Sequence, residues 1–152
     1  MEPRMRNVPA IAADGFKAML NLEGFLAKSP VPDSTLELVR IRVSQINGCG
    51  FCVDMHARDA KKAGETDERL WAVAAWREAP YFTDEERAAL ALAEAATRIA
   101  DNPAGVPDDV WDEAADAYDE ESLAALIFAI AAINAWNRLN VTTRQVAGTP
   151  IA

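Results

Sequence analysis

Both cysteines and the single histidine of this chain fall within eight positions, at Cys49, Cys52 and His56. A helix that begins near Cys49 places Cys52 and His56 four residues apart on one face, with Cys49 one turn earlier. The unpaired N–H groups and the macrodipole at a helix start favour a thiolate, and the histidine can accept the thiol proton. A second thiol three residues away can convert a sulfenic acid into a disulfide. The spacing therefore predicts a redox-active dithiol with its own base.

Glu37 is a fourth candidate, because the Asn47-Gly48 turn allows the preceding helix to fold back on the cysteine helix. Its carboxylate would then reach the site and serve as a proton relay. The predicted catalytic set is Cys52, Cys49, His56 and Glu37. The same four side chains could also ligate zinc, although structural zinc sites usually use more thiolates and two chain segments. We therefore expect neither a metal nor another cofactor.

The elements that must position these residues are helices. Apolar spacing, caps and breakers predict seven of them, over 11–27, 33–47, 49–63, 67–78, 83–100, 107–118 and 121–139. No strand-like alternation persists, so the sequence predicts an all-α bundle of about six to seven helices in a single domain, 1–152. The last helix is apolar nearly all round, which predicts a central position or a subunit interface. Residues 1–10 should be irregular, and those from Asn140 onward should be ordered only by a partner.

Composition and charge argue against several classes of function. Hydrophobic residues make up 51% of the 152, and the net charge of −9 comes without a basic cluster. Nucleic acid is therefore an improbable partner. The first ten residues have no apolar stretch typical of a secretion signal, and the apolar run 123–133 is too short to cross a bilayer. We expect a cytoplasmic protein with no membrane partner.

The cysteine region resembles a known family. The pattern E-x11-C-x2-C-x3-H, the flanking stretches 44–47 and 57–64 and the closing segment 133–139 are similar to the AhpD-like alkylhydroperoxidase family of the carboxymuconolactone decarboxylase superfamily. The resemblance implies a helical homo-oligomer, a trimer or a hexamer, with thiol-dependent peroxidase activity. Its partners would be a small-molecule hydroperoxide and a thiol or dithiol reductant. By resemblance, Cys52 attacks the peroxide, Cys49 resolves the product, and His56 and Glu37 move protons.

Three points stay open on the sequence. The helix start could instead make Cys49 the more exposed and more acidic thiol. AhpD itself carries a histidine directly before the second cysteine, where this chain has Phe51, so a relay through that position is not expected here. Lactone decarboxylation and a non-enzymatic thiol redox sensor are the alternative functions; the decarboxylases generally lack the cysteine pair.

Overall fold

The computed structural model describes residues 1–149 and is helical, with no strand in that range. Its eight α-helices are α1 (Val8–Ile11), α2 (Ala13–Leu26), α3 (Asp33–Ile46), α4 (Gly50–Lys62), α5 (Asp67–Ala72), α6 (Asp84–Thr97), α7 (Asp108–Ala117) and α8 (Glu120–Thr143). A single 3-10 turn, Val73–Ala75, follows α5. The all-α prediction is confirmed. The prediction that residues 1–10 are irregular was wrong at its end, because an eighth helix, the one-turn α1, begins at Val8.

Helix α3 is the centre of the packing, since it lies against α4, α6 and α8. On one side, Val39 and Val43 are buried in an apolar cluster with Leu126 of α8. On another side, Leu38 and Ile41 are buried in a second cluster with α6 and the 3-10 turn. Each buried aliphatic side chain contributes about 1.5–3 kcal/mol through the hydrophobic effect. Two cores thus fix the rotation of α3 and with it the direction of the polar residues between its apolar ones.

Helix α8 is central on one side and exposed on the other. Leu126, Ile130 and Ile133 are buried in the first cluster, whereas Ile127 and Phe128 are exposed. Within residues 1–149, α8 is the one helix long and apolar enough to cross a membrane, but 44% of its apolar window is buried against the other helices. The buried side makes α8 part of the first apolar cluster, and its exposed apolar side chains remain a predicted subunit interface.

Local signals in the sequence set several of the boundaries. Gly48 and Gly64 have φ of +68° and +101° where α3 and α4 end, a backbone region that favours glycine. Thr83 and Glu86 form the predicted capping box at the start of α6. The predicted helix 67–78 is shorter, because its last part becomes the 3-10 turn.

The prediction for the C-terminal tail was wrong. α8 continues to Thr143, and Arg144 then adopts a left-handed conformation with φ of 57° that reverses the chain. The tail returns across its own protomer: the amide of Gly148 donates to Asp54 of α4 at 2.9 Å, and Gln145 donates to the carbonyl of Met5 at 3.3 Å. Contacts within the chain thus hold residues 140–149, and residues 150–152 lie outside the described residues.

Candidate active site

Cys49 and Cys52 form a disulfide at the start of α4, with their Cα atoms 5.3 Å apart. Cys49 is the N-cap of the helix, and its sulfur accepts a hydrogen bond from the backbone N–H of Cys52 at 3.3 Å. Both cysteines are almost fully buried. The predicted C-x-x-C pair is therefore close enough to be disulfide-bonded at the start of the helix.

The turn before Cys49 is held by three side-chain amides, of which Asn137 is buried and Asn47 and Asn134 are half-buried. Asn47 donates to the side-chain oxygens of Asn134 and Asn137 at 3.0 and 2.9 Å. Asn137 is 1% exposed and donates in turn to the hydroxyl of Ser44 at 3.0 Å. Buried amides need such partners, because an unpaired one costs about 1–3 kcal/mol. The cysteine turn is thus tied to α8, a contact that no local signal in the sequence indicated.

Glu37 meets His56 where α4 folds back along α3. The Nδ1 atom of His56 lies 2.9 Å from Oε2 of Glu37, and Arg40 donates to the other carboxylate oxygen at 2.6 Å. Burial raises the pKa of Glu37, but its hydrogen bonds and electrostatic interactions with His56 and Arg40 outweigh burial and hold the pKa below its usual range. An ionised carboxylate only accepts, so Nδ1 carries a proton and Nε2 is the nitrogen left for proton exchange.

Arg40 connects the Glu37–His56 pair to a further ion pair and a hydrogen bond. Arg40 also donates to Glu23 of α2 at 2.8 Å, and Glu23 accepts from the indole N–H of Trp136 at 3.0 Å. The chain of contacts therefore links α4 through α3 and α2 to α8. Glu23 and Arg40 were not predicted. The three-residue spacing from Glu37 was the available signal for Arg40, whereas Glu23 lies 17 residues from Arg40 and 113 from Trp136 and no motif marks it.

A cavity of about 520 Å³ lies in front of the cysteine pair. Cys52, His56 and Glu37 all line it, whereas Cys49 does not. Most of its wall is apolar, formed in part by Phe16, Leu20, Phe51, Met55, Trp136 and Leu139. The cavity therefore offers an apolar surface beside Cys52.

Asn140 also faces this site and was not predicted. Its side-chain amide donates to the sulfur of Cys52 at 3.4 Å, from the last part of α8. The three-residue spacing of Asn134, Asn137 and Asn140 was the one available signal, because it places three amides along neighbouring positions of one helix.

No group of three or more His, Cys, Asp or Glu side chains within residues 1–149 is arranged to hold a metal ion. The two sulfurs are bonded to each other, and Nδ1 of His56 is engaged by Glu37. The chemistry that this arrangement supports directly is proton and electron transfer at a thiol pair.

Comparison with known proteins places the chain in a family. Residues 13–95 match the model of the carboxymuconolactone decarboxylase family. The uncharacterized protein YdfG of Bacillus subtilis (strain 168) is 43% identical over 131 residues, which cover 86% of this chain and 88% of YdfG. The alkyl hydroperoxide reductase AhpD of Methylocella silvestris is 42% identical over 45 residues, which cover 30% of this chain and 25% of that protein.

Solved structures agree on the fold. A protein of unknown function from Agrobacterium tumefaciens, provisionally named an antioxidant defence protein AhpD, has a TM-score of 0.91 at 33% identity and covers 98% of this chain and 100% of its own. The debrominase Bmp8 has a TM-score of 0.80 at 22% identity, over 92% of this chain and 74% of its own, and shows the fold alone. By the family match over 13–95 and the close relative in Bacillus subtilis, this chain belongs to the carboxymuconolactone decarboxylase family, with the AhpD-like fold.

Proposed function

We propose that this protein is a thiol-dependent peroxidase that reduces hydrogen peroxide or organic hydroperoxides through a Cys49–Cys52 dithiol/disulfide cycle. The observation that carries the proposal is that Cys52 and His56 line one apolar cavity, with the ionised Glu37 bonded to Nδ1 of His56. A nucleophile, a base and a group that orients the base are the three parts that thiol catalysis needs.

Cys52 is the attacking residue in this proposal because its side chain lines the cavity and that of Cys49 does not. In the reduced protein His56 takes the proton of Cys52, and the thiolate attacks the terminal oxygen of the hydroperoxide. The S–O bond forms, the O–O bond breaks, and the departing alkoxide takes the proton from His56 to leave as an alcohol. Cys52 is then a sulfenic acid.

Cys49 completes the cycle. Its thiol attacks the sulfenic sulfur, so that the S–S bond forms, the S–O bond breaks, and hydroxide leaves with the thiol proton as water. The resulting disulfide is the bond that the structure contains. An external thiol or dithiol reductant returns both cysteines to thiols and becomes a disulfide itself.

The proposal extends to the setting of the enzyme. We place it in the cytoplasm as a homo-oligomer, a trimer or a hexamer, without nucleic-acid or membrane partners. The exposed apolar side chains of Leu20 and Phe25 on α2, and of Ile127 and Phe128 on α8, support an oligomer, since such residues bury their surface against a partner.

The test is a thiol count on denatured protein after exposure of the reduced protein to one equivalent of cumene hydroperoxide. We expect both thiols to disappear within the mixing time of a hand assay, without a crosslink between subunits. The variant Cys49→Ser should lose its one thiol to a sulfenic acid that dimedone traps, and Cys52→Ser should keep its thiol. Two unreacted thiols in the unmodified protein would refute the proposal.

Lactone decarboxylation is the second candidate, because the family model that matches bears that name. It needs no dithiol, so the two functions separate cleanly. Turnover of a carboxymuconolactone by the Cys49→Ser/Cys52→Ser double variant, together with no peroxide consumption by the unmodified protein, would favour it.

A further inference from the structure

The sulfurs of the disulfide accept hydrogen bonds from different donors. The sulfur of Cys49 accepts from the backbone N–H of Cys52 at 3.3 Å, which belongs to the helix start. The sulfur of Cys52 accepts from the side-chain amide of Asn140 at 3.4 Å, which comes from a helix 88 residues further along the chain. The backbone at the start of α4 thus donates to the sulfur of Cys49, which does not line the cavity, and α8 donates to the sulfur of Cys52, which does.

We propose that Asn140 is a catalytic residue that stabilises the thiolate of Cys52 in the reduced protein. The role rests on the proposed function only in taking Cys52 as the nucleophile. An N–H donor favours a thiolate over a thiol, because the sulfur of a thiol is a weak acceptor and an anion is a strong one.

The side-chain amide of Asn140 is available to Cys52, and the backbone of Asn140 is held in place. Within the described residues its one side-chain hydrogen bond is the one to Cys52. Its backbone carbonyl accepts from the amide of Gln145 at 2.9 Å, in the turn that closes α8. One turn earlier, Asn137 is buried and bonded to Asn47 and Ser44. A donor fixed in advance needs no reorganisation when charge develops on the sulfur.

The amide of Asn140 differs from His56 in that its charge stays the same during the reaction. The imidazole takes the proton of Cys52 and later returns it to the departing alkoxide, so its charge changes during the reaction. The amide of Asn140 keeps the same dipole throughout. It therefore stabilises the sulfur whenever that atom is negative.

The experiment measures the thiol pKa of Cys52 in full-length protein that carries Cys49→Ser, so that one thiol titrates. Serine keeps an N-cap oxygen at that position. The readouts are the ultraviolet absorbance of the thiolate and the rate of alkylation by iodoacetamide, both against pH. Neither uses a peroxide, so a failure of the peroxidase proposal and a failure of this one are distinguishable.

Asn140→Leu removes the donor at similar volume and should raise the thiol pKa by about one unit, with a roughly tenfold slower alkylation at neutral pH. Asn140→Asp keeps the shape but places a carboxylate against the sulfur, and should raise the pKa further, by about two units. Gln145→Glu is the matched control: it adds the same charge to the wall of the same cavity, and its amide donates to Met5 and Thr143 rather than to sulfur. Its shift should stay below about a third of a unit, because it acts only at a distance.

Each result decides the proposal. A pKa that rises in both Asn140 variants and not in Gln145→Glu supports it. An unchanged pKa in folded Asn140→Leu, or an equal slowing of alkylation at every pH, overturns it in favour of a structural role. If Asn140→Leu does not fold, the Asn140→Asp comparison with Gln145→Glu alone decides, and equal shifts in those two variants also overturn it.

Discussion

Replacing Glu37 by glutamine tests the proposed proton relay through His56. The carboxylate bridges two donors, with Arg40 at 2.6 Å from one oxygen and Nδ1 of His56 at 2.9 Å from the other. Glutamine has one oxygen and one NH2 group. Since Arg40 can only donate, the glutamine oxygen must face Arg40, and the NH2 group must face His56.

The consequence is a reversal of the histidine tautomer. Nδ1 would have to accept from the glutamine, so the single proton of neutral imidazole moves to Nε2, the nitrogen left for exchange with Cys52. His56 then has no lone pair with which to take the thiol proton. General base catalysis contributes about 10²–10⁴-fold, so we expect Glu37→Gln to slow peroxide-dependent thiol loss by at least about 100-fold.

The assay is stopped-flow oxidation of the reduced protein by cumene hydroperoxide, with the folded state checked by circular dichroism. Asp59→Asn is the matched control. Asp59 lies on α4, the helix of His56, and lines the same cavity as Glu37, but it is half-exposed and pairs with Lys62 instead of His56. Removing that exposed charge should change the rate by less than about threefold. A Glu37→Gln protein that is folded and oxidises within about tenfold of the unmodified rate would contradict the tautomer argument.

Three further predictions concern stability, and urea unfolding checks each of them. Because the pKa of folded Glu37 is lowered, the ionised carboxylate stabilises the folded state above its ordinary pKa near 4.5, and this stabilisation is lost as the pH falls through the folded value. The free energy of unfolding should therefore exceed that of Glu37→Gln by less as the pH falls below about 4.5. A difference that grows there would contradict the prediction. Asn137→Ala should cost about 2–4 kcal/mol, because it removes the donor to the buried hydroxyl of Ser44 and one of the two acceptors of Asn47 at the cysteine turn, and a loss under about 1 kcal/mol would show that this network contributes little. Gly48→Ala should cost about 1–2 kcal/mol through its positive φ alone, since no atom lies within 4 Å of the added carbon; the control Gly24→Ala, in the helical conformation of α2 and equally unobstructed, should gain up to about 1 kcal/mol.

The local structure around the cysteines was predictable because its causes are local. Asn47-Gly48 marks the end of α3 and Gly64 the end of α4, and both glycines have the positive φ that the pattern indicated. The helical spacing placed Cys52 and His56 on one element, with Cys49 at its cap. These features depend on hydrogen bonds and dihedral angles within a few residues, which a sequence displays directly.

The helix ends with weak signals were predicted less well. The short helix α1 was missed, because neither its start after Asn7 nor the start of α2 after Ala12 has a side-chain cap. The reversal at Arg144 was also missed, because a non-glycine residue at positive φ has no sequence signature and is maintained by the contacts of the returning tail.

The sequence by itself determined the helical class, the position of the dithiol at a helix start and the resemblance to AhpD-like proteins. Only the tertiary structure decided which groups surround that dithiol. The contact of Asn140 with Cys52 spans 88 residues and that of Trp136 with Glu23 spans 113, and both depend on how α8 rotates against its neighbours. That rotation follows from the buried packing of Leu126, Val39 and Val43, which is a property of shape complementarity between helices rather than of any one segment.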